Sequence, residues 1–204
     1  MGKHVVRFRC HQCGHCCKDV VCLPTPGDVL RIVRATGLDP RTFLVFITGD
    51  EVAEVPKNDP TWLKVKGKKY LMALRRGRTG CYFREAHTGN CRIYHARPLL
   101  CRLYPCKLHE SRQGEFKHFS LHTDVGCPRH RDGELHSGKL YDLYLEDRTH
   151  QEDYHDLVAV FNRREYPKIK PDDFLTMFIT VQQTPKRKQG PGRKTSARKR
   201  PVTK

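Results

Sequence analysis

Cys10-His11-Gln12-Cys13-Gly14-His15-Cys16-Cys17 is the stretch that decides how this chain is read: four thiols in eight residues, spaced C-x2-C-x2-C-C. Cysteines two residues apart on a tight loop can aim several thiolates at one metal centre, and Gly14 permits the turn. Three at this spacing can occupy three corners of an iron–sulfur cluster. A pair can equally supply half of a tetrahedral zinc site. Cys16 and Cys17 are neighbours whose side chains point in different directions, so the run needs ligands from elsewhere. Cys81, Cys91, Cys101, Cys106 and Cys127 can supply them, and Cys22 brings the total to ten cysteines. Arg92, Tyr94, Arg97 and Arg102 are interleaved with these thiols. Guanidinium groups there can offset the negative charge of a thiolate centre and donate hydrogen bonds to sulfur.

The setting of the run favours metal over disulfide chemistry. Basic residues interrupt Met1–Arg9 every few positions, so the start reads as no secretory leader. No run of 18 apolar residues is present to span a membrane. The expected location is cytoplasmic, where cysteines in this number read as metal ligands or redox thiols.

Working outward, 204 residues of which 37% are hydrophobic leave room for one modest core. Val5–Arg9 reads as a short strand delivering the first cysteine. Pro26 and Gly37 bracket an amphipathic helix over residues 26–36. Asp39-Pro40 is expected to open a second helix carrying Phe43, Leu44, Phe46 and Ile47. Residues 62–66 and 68–75 alternate around Gly67 as a hairpin, and Glu115 to His122 alternates like a strand. A long helix is expected over about 138–164, with Tyr154, Leu157, Val158 and Phe161 on one face, and a last one over about 171–182. The expected fold is α+β, a small metal-stapled single domain over residues 1–184 with short strands, a cysteine-rich loop region and flanking helices. Residues 185–204 read as a disordered polybasic tail.

The formal net charge of +17 is localised. The tail carries nine Lys or Arg and no acid. A second acid-free stretch, residues 64–84, contains Lys64, Lys66, Lys68, Lys69, Arg75, Arg76, Arg78 and Arg84, and outside the two stretches basic and acidic residues balance. Hairpin and tail are candidate surfaces for nucleic acid or another polyanion, with Trp62, Tyr70 and Tyr82 available to stack on bases.

Over about residues 8–128 the sequence resembles a known family, the zinc- or iron-chelating cysteine-cluster proteins named for the CxxCxxCC motif. The opening run matches, as do Cys81-Tyr82-Phe83, the block from Cys91 through Arg97-Pro98 and Cys101-Arg102 to Tyr104-Pro105, and Cys127-Pro128. The resemblance implies that Cys10, Cys13, Cys16, Cys17, Cys81, Cys91, Cys101 and Cys127 are ligands, with zinc or an iron–sulfur cluster as cofactor. Cys22 and Cys106 exceed the family's eight and are possible additional ligands. Arg129 and His130 stand where the family usually has glycines. The family is also similar to the cysteine domain of flagellin lysine N-methylases, which implies methyl transfer as an alternative role.

Other readings fit less well. Cys13-Gly14-His15-Cys16 has the spelling of a disulfide-isomerase site, but that chemistry needs a strand before the motif and a helix after it. Cys17, Val20, Val21 and Pro24 make a poor helix start, and Cys10 and Cys17 crowd the dithiol. Cys101-x4-Cys106-x11-His118-x3-His122 is one residue from a zinc-finger spacing, but Gly114 interrupts the helix such a finger needs. Glu152-x2-His155 is half of a carboxylate di-iron motif without its second copy. Three functions remain: a metal-binding domain, an enzyme or enzyme subunit using an iron–sulfur cluster in redox or methyl-transfer chemistry, and a nucleic-acid-associated zinc protein. No catalytic residue is identifiable, so the reading leans away from an enzyme.

Overall fold

The protein is described here from a computed structural model covering residues 5–52, 55–123, 127–128, 130–164 and 168–179. The polybasic tail and positions 180–182 of the last expected helix lie outside the described residues. Helices and short strands alternate in an α+β arrangement. Among the described residues no helix is long and apolar enough to cross a membrane.

The first long element follows from its punctuation. Thr25 Oγ1 accepts from the Asp28 amide at 3.2 Å, while the Asp28 carboxylate accepts from the Thr25 amide at 3.0 Å. This capping box, with Pro26 behind it, starts helix α2 (Pro26–Thr36), which follows a short helix α1 (His15–Asp19). Val29 and Ile32 of α2 are fully buried.

The helix expected over residues 39–47 is corrected. One turn forms, α3 (Pro40–Phe43), and the chain then extends as β2 (Leu44–Thr48) after β1 (Val5–Arg7). Val45-Phe46-Ile47-Thr48 is a β-branched and aromatic run, and tertiary pairing settles it as a strand. β2 lies antiparallel to β4 (Lys68–Leu74), with Leu44 opposite Leu74 and Thr48 opposite Tyr70. β3 (Leu63–Val65) pairs with the other side of β4, so the basic hairpin is part of a three-stranded sheet ordered β2-β4-β3. Leu71, Met72, Ala73 and Leu74 are all buried because β4 is central and covered on both faces. Met72 and Leu74 enter the main core, whereas Leu71 and Ala73 pack with Ile47 and Trp62.

Helix α5 (Ser137–Asn162) closes the main core with Tyr154, Val158 and Phe161, joined by Phe174, Leu175 and Phe178 of α6 (Asp173–Ile179). Burying each of these large side chains contributes roughly 1.5–3 kcal/mol. Toward its start α5 places Leu140 in a second core with Val6, Phe8 and Phe119. There β1 pairs with β9 (Glu134–His136), beside a hairpin of β7 (Cys106–Glu110) and β8 (Phe116–Leu121). The remaining elements, β5 (Arg76–Gly77), β6 (Gly80–Cys81) and α4 (Leu99–Leu103), belong to the cysteine-rich region between the two cores.

Candidate metal centre

Four stretches of chain bring thiols to one place. The loop after β1 carries Cys10 and Cys13, α1 carries Cys16 and Cys17, and β6 and the turn beyond it carry Cys81 and Cys91. Cys101 comes from α4 and Cys127 from the segment after β8. All eight line a single cavity of about 60 Å³, among apolar groups that include Phe8, Leu74, Phe83 and Ile93. Sites for drug-sized ligands usually enclose about 300–1,000 Å³. This space admits a few atoms rather than an organic cofactor.

Neighbouring elements are held to the cavity by specific hydrogen bonds. Arg76 on β5 donates to the carbonyls of Lys18 and Val20 at the end of α1, fastening the helix of Cys16 and Cys17 to the hairpin of Cys81. Asp28, 1% exposed, accepts from the Leu99 amide at 3.0 Å and so caps the start of α4, the helix of Cys101. Arg31 pairs with Asp28 and donates to the Arg97 carbonyl at 2.9 Å. The first two turns of α2 therefore set the position of the Cys91–Cys101 block.

Two pairs of sulfurs already stand close together. Cys16 Sγ and Cys17 Sγ are 4.0 Å apart, because both residues lie in the single turn of α1. That turn corrects the sequence expectation that the two thiols diverge. Cys22, 7% exposed, has its Sγ 3.4 Å from Cys101 Sγ. Thiolates 2.3 Å from a tetrahedral zinc ion are about 3.8 Å apart, so both separations bracket that edge. Among the described residues no three His, Cys, Asp or Glu side chains converge closely enough to hold a metal ion as they stand. Rotation of half-exposed thiols such as Cys13, Cys81 and Cys91 is needed to complete a site.

The thiols also influence one another's ionisation. Hydrogen bonding from Cys17 lowers Cys16 and Cys91 to about 7, against the opposing effect of burial. Cys17 itself is pushed far up as the shared proton donor between them. Burial lifts Cys81 to about 11. Thiolates crowded in an apolar cavity repel one another, and a divalent cation removes that penalty. The donor set thus fits a thiophilic metal.

Polar groups flank the mouth of the cavity. Arg97 stacks 3.8 Å from the Tyr94 ring centroid, donates to the Tyr94 carbonyl at 2.8 Å and points Nη1 at Cys10 Sγ, 3.8 Å away. Burial raises the Tyr94 hydroxyl above its usual value, and the neighbouring Cys10 thiol adds to the rise while Arg97 opposes it. Arg92 instead donates to the Tyr82 carbonyl and lies over the Tyr82 ring. Arg102 is half-buried beside Cys10, Tyr94 and Tyr104. Cys106 sits in the second core, where burial and then Cys127 raise it to about 11.

Sequence reasoning passed over His11 and His130, which line the cavity and bring their rings within 4.1 Å. Asp132 reaches His11 Nε2 at 2.9 Å across 121 residues. The position of His11 inside the cysteine run was a usable signal, but the partnership with Asp132 leaves none.

Other assignments change in the fold. The zinc-finger spacing is not assembled: Cys101 faces Cys22, Cys106 lies on β7, and exposed His118 on β8 stacks with His109 at 4.4 Å. Arg75 donates to the Thr42 and Leu44 carbonyls, and Arg76 to the end of α1, so both guanidiniums tie the fold together. Trp62 is 4% exposed, with Nε1 donating to the Pro56 carbonyl at 2.8 Å, and is no platform for a base. Lys64, Lys66, Lys68, Lys69 and Arg78 are exposed.

Comparison with known families identifies one match. The CxxCxxCC model, described as "Putative zinc- or iron-chelating domain", covers residues 9–128, more than half of the chain. No curated protein matches, and neither does any solved structure.

Proposed function

The chain belongs to the CxxCxxCC family of zinc- or iron-chelating domains, and we propose that thiolates from four separate stretches of it hold the metal together. The observation that carries this reading is the convergence of Cys10, Cys13, Cys16, Cys17, Cys81, Cys91, Cys101 and Cys127 on one small cavity. Zinc there would tie the loops together, and iron would add electron-transfer capacity. Arg97 and Tyr94 offset part of the thiolate charge at Cys10. The spacings near 3.8 Å fit two thiolates on one tetrahedral zinc or iron ion. Anaerobic purification followed by elemental analysis and a visible spectrum tests the reading. Zinc in a colourless protein, or iron in a coloured one, supports it. A metal-free protein that takes up neither ion refutes it.

A second role is supported by one feature of the sheet. Lys64 and Lys69 stand directly opposite on β3 and β4, both exposed, with Lys66 and Lys68 beside them. Like charges directly opposite destabilise a sheet, and a polyanion relieves that repulsion. Replacing the four lysines by glutamine is expected to weaken binding to a generic polynucleotide and flatten its salt dependence. Unchanged affinity would remove this role.

A further inference from the structure

We infer that Cys22 is a metal ligand, forming with Cys101 and Cys81 the thiolate framework of a second centre beside the one around Cys16, Cys17 and Cys91. The inference rests on the proposed metal binding and extends it to a thiol outside the family's eight. Three independent observations support it.

The first is distance. Cys22 Sγ and Cys101 Sγ are 3.4 Å apart, near the separation imposed by a shared tetrahedral ion and far beyond the roughly 2.05 Å of a disulfide. The second is placement. A distinct cavity of about 40 Å³ adjoins the first and is lined by five thiols, Cys16, Cys17, Cys22, Cys81 and Cys101, with Val20, Leu100 and Tyr104 around them. One tetrahedral ion takes four thiolates, so nine sulfurs across two adjoining cavities exceed a single centre. The third is rigidity. The Cys22 carbonyl accepts from the Leu74 amide at 2.9 Å, which locks its backbone to the end of β4. Cys101 lies on α4, whose start is held by Asp28. Both ends of the pair are therefore fixed by the fold, as a ligand site requires.

The ion fitting this framework is a thiophilic divalent cation, zinc or ferrous iron, with a fourth ligand from Cys16 or Cys17 at the boundary between the two cavities. Sharing a thiolate across that boundary would let the two ions sit side by side. Packing alone also keeps a cysteine buried, so the test must detect the bond itself.

The wild-type chain is reduced, loaded with cadmium-113 as a zinc substitute and examined by proton–cadmium correlation NMR. The Cys22, Cys101 and Cys81 β-protons are expected to couple to one cadmium resonance, joined by those of Cys16 or Cys17, and the Cys91 protons to a different one. In parallel, native mass spectrometry should show Cys22→Ser carrying one ion fewer than wild type, with Cys106→Ser unchanged. Cadmium couplings to the other cysteines but none to Cys22 would overturn the inference and leave the family reading intact. Failure of the wild type to bind cadmium, zinc or ferrous iron would refute the proposed metal binding itself.

Discussion

Replacing Gly80 by alanine tests how closely the fold must hold α1 against β6 to gather the thiols. A Cβ at Gly80 would lie 2.4 Å from the Cys17 carbonyl oxygen and 2.8 Å from Lys18 Cα. Both obstacles are backbone, so no side chain can swing away. Restoring even a 3.0 Å contact requires about 0.6 Å of separation between the helix of Cys16 and Cys17 and the strand of Cys81. Gly80 also holds φ at +107°, where an alanine is strained by roughly 1–3 kcal/mol. Overpacking adds about 1–3 kcal/mol. The expected destabilisation is about 2–6 kcal/mol, with metal affinity about 10–100-fold weaker because ligand positions move. Gly67→Ala is the control: it has φ +75° and nothing within 4 Å, so it carries backbone strain without the contact. Urea unfolding and competition with a chelator measure both quantities. If Gly80→Ala unfolds and releases metal no more readily than Gly67→Ala, the packing of α1 on β6 does not govern the site.

Two further substitutions probe the supports behind the thiols. Asp28→Ala removes the acceptor for the Thr25 and Leu99 amides and strands Arg31, whose side chain is 25% exposed. About 3 kcal/mol of lost stability is expected in urea, with weaker metal retention, whereas a loss under 1 kcal/mol would show that α4 needs no cap from α2. Asp147 on α5 has a carboxyl raised to about 6, first by burial and then by the charge of Asp28, with Glu146 adding to the rise and His150 and Gln151 opposing it. Because its folded value lies above the unfolded 3.8, its contribution is fully present below about pH 4 and is lost as pH rises through 6. Asp147→Asn should therefore melt above wild type at pH 7.5, with the gap closing at pH 4. A gap independent of pH would assign the effect to packing.

Much of this architecture is legible from local signals. Thr25, Pro26 and Gly37 mark α2, and the spacing of Tyr154, Val158 and Phe161 marks the buried face of α5. The alternation about Gly67 marks the β3–β4 hairpin. The α3–β2 junction is not legible, because a capped proline start and an extended β-branched run meet at Leu44, and only pairing with β4 decides between them. α1 is five residues long, too short for helical periodicity to register. Arg75 and Arg76 read as surface charge in a basic run, yet each donates to carbonyls on a neighbouring element. Spacing brings out the cysteine run, but the approach of Cys22 to Cys101 depends on how β4 and α4 meet.

X-ray absorption at the edge of the bound metal tests the central claim most directly, because it counts sulfur ligands without altering the protein. The thiolate account predicts a shell of about four sulfurs at about 2.3 Å around each ion. A shell of nitrogen and oxygen alone, near 2.0–2.2 Å, would contradict it.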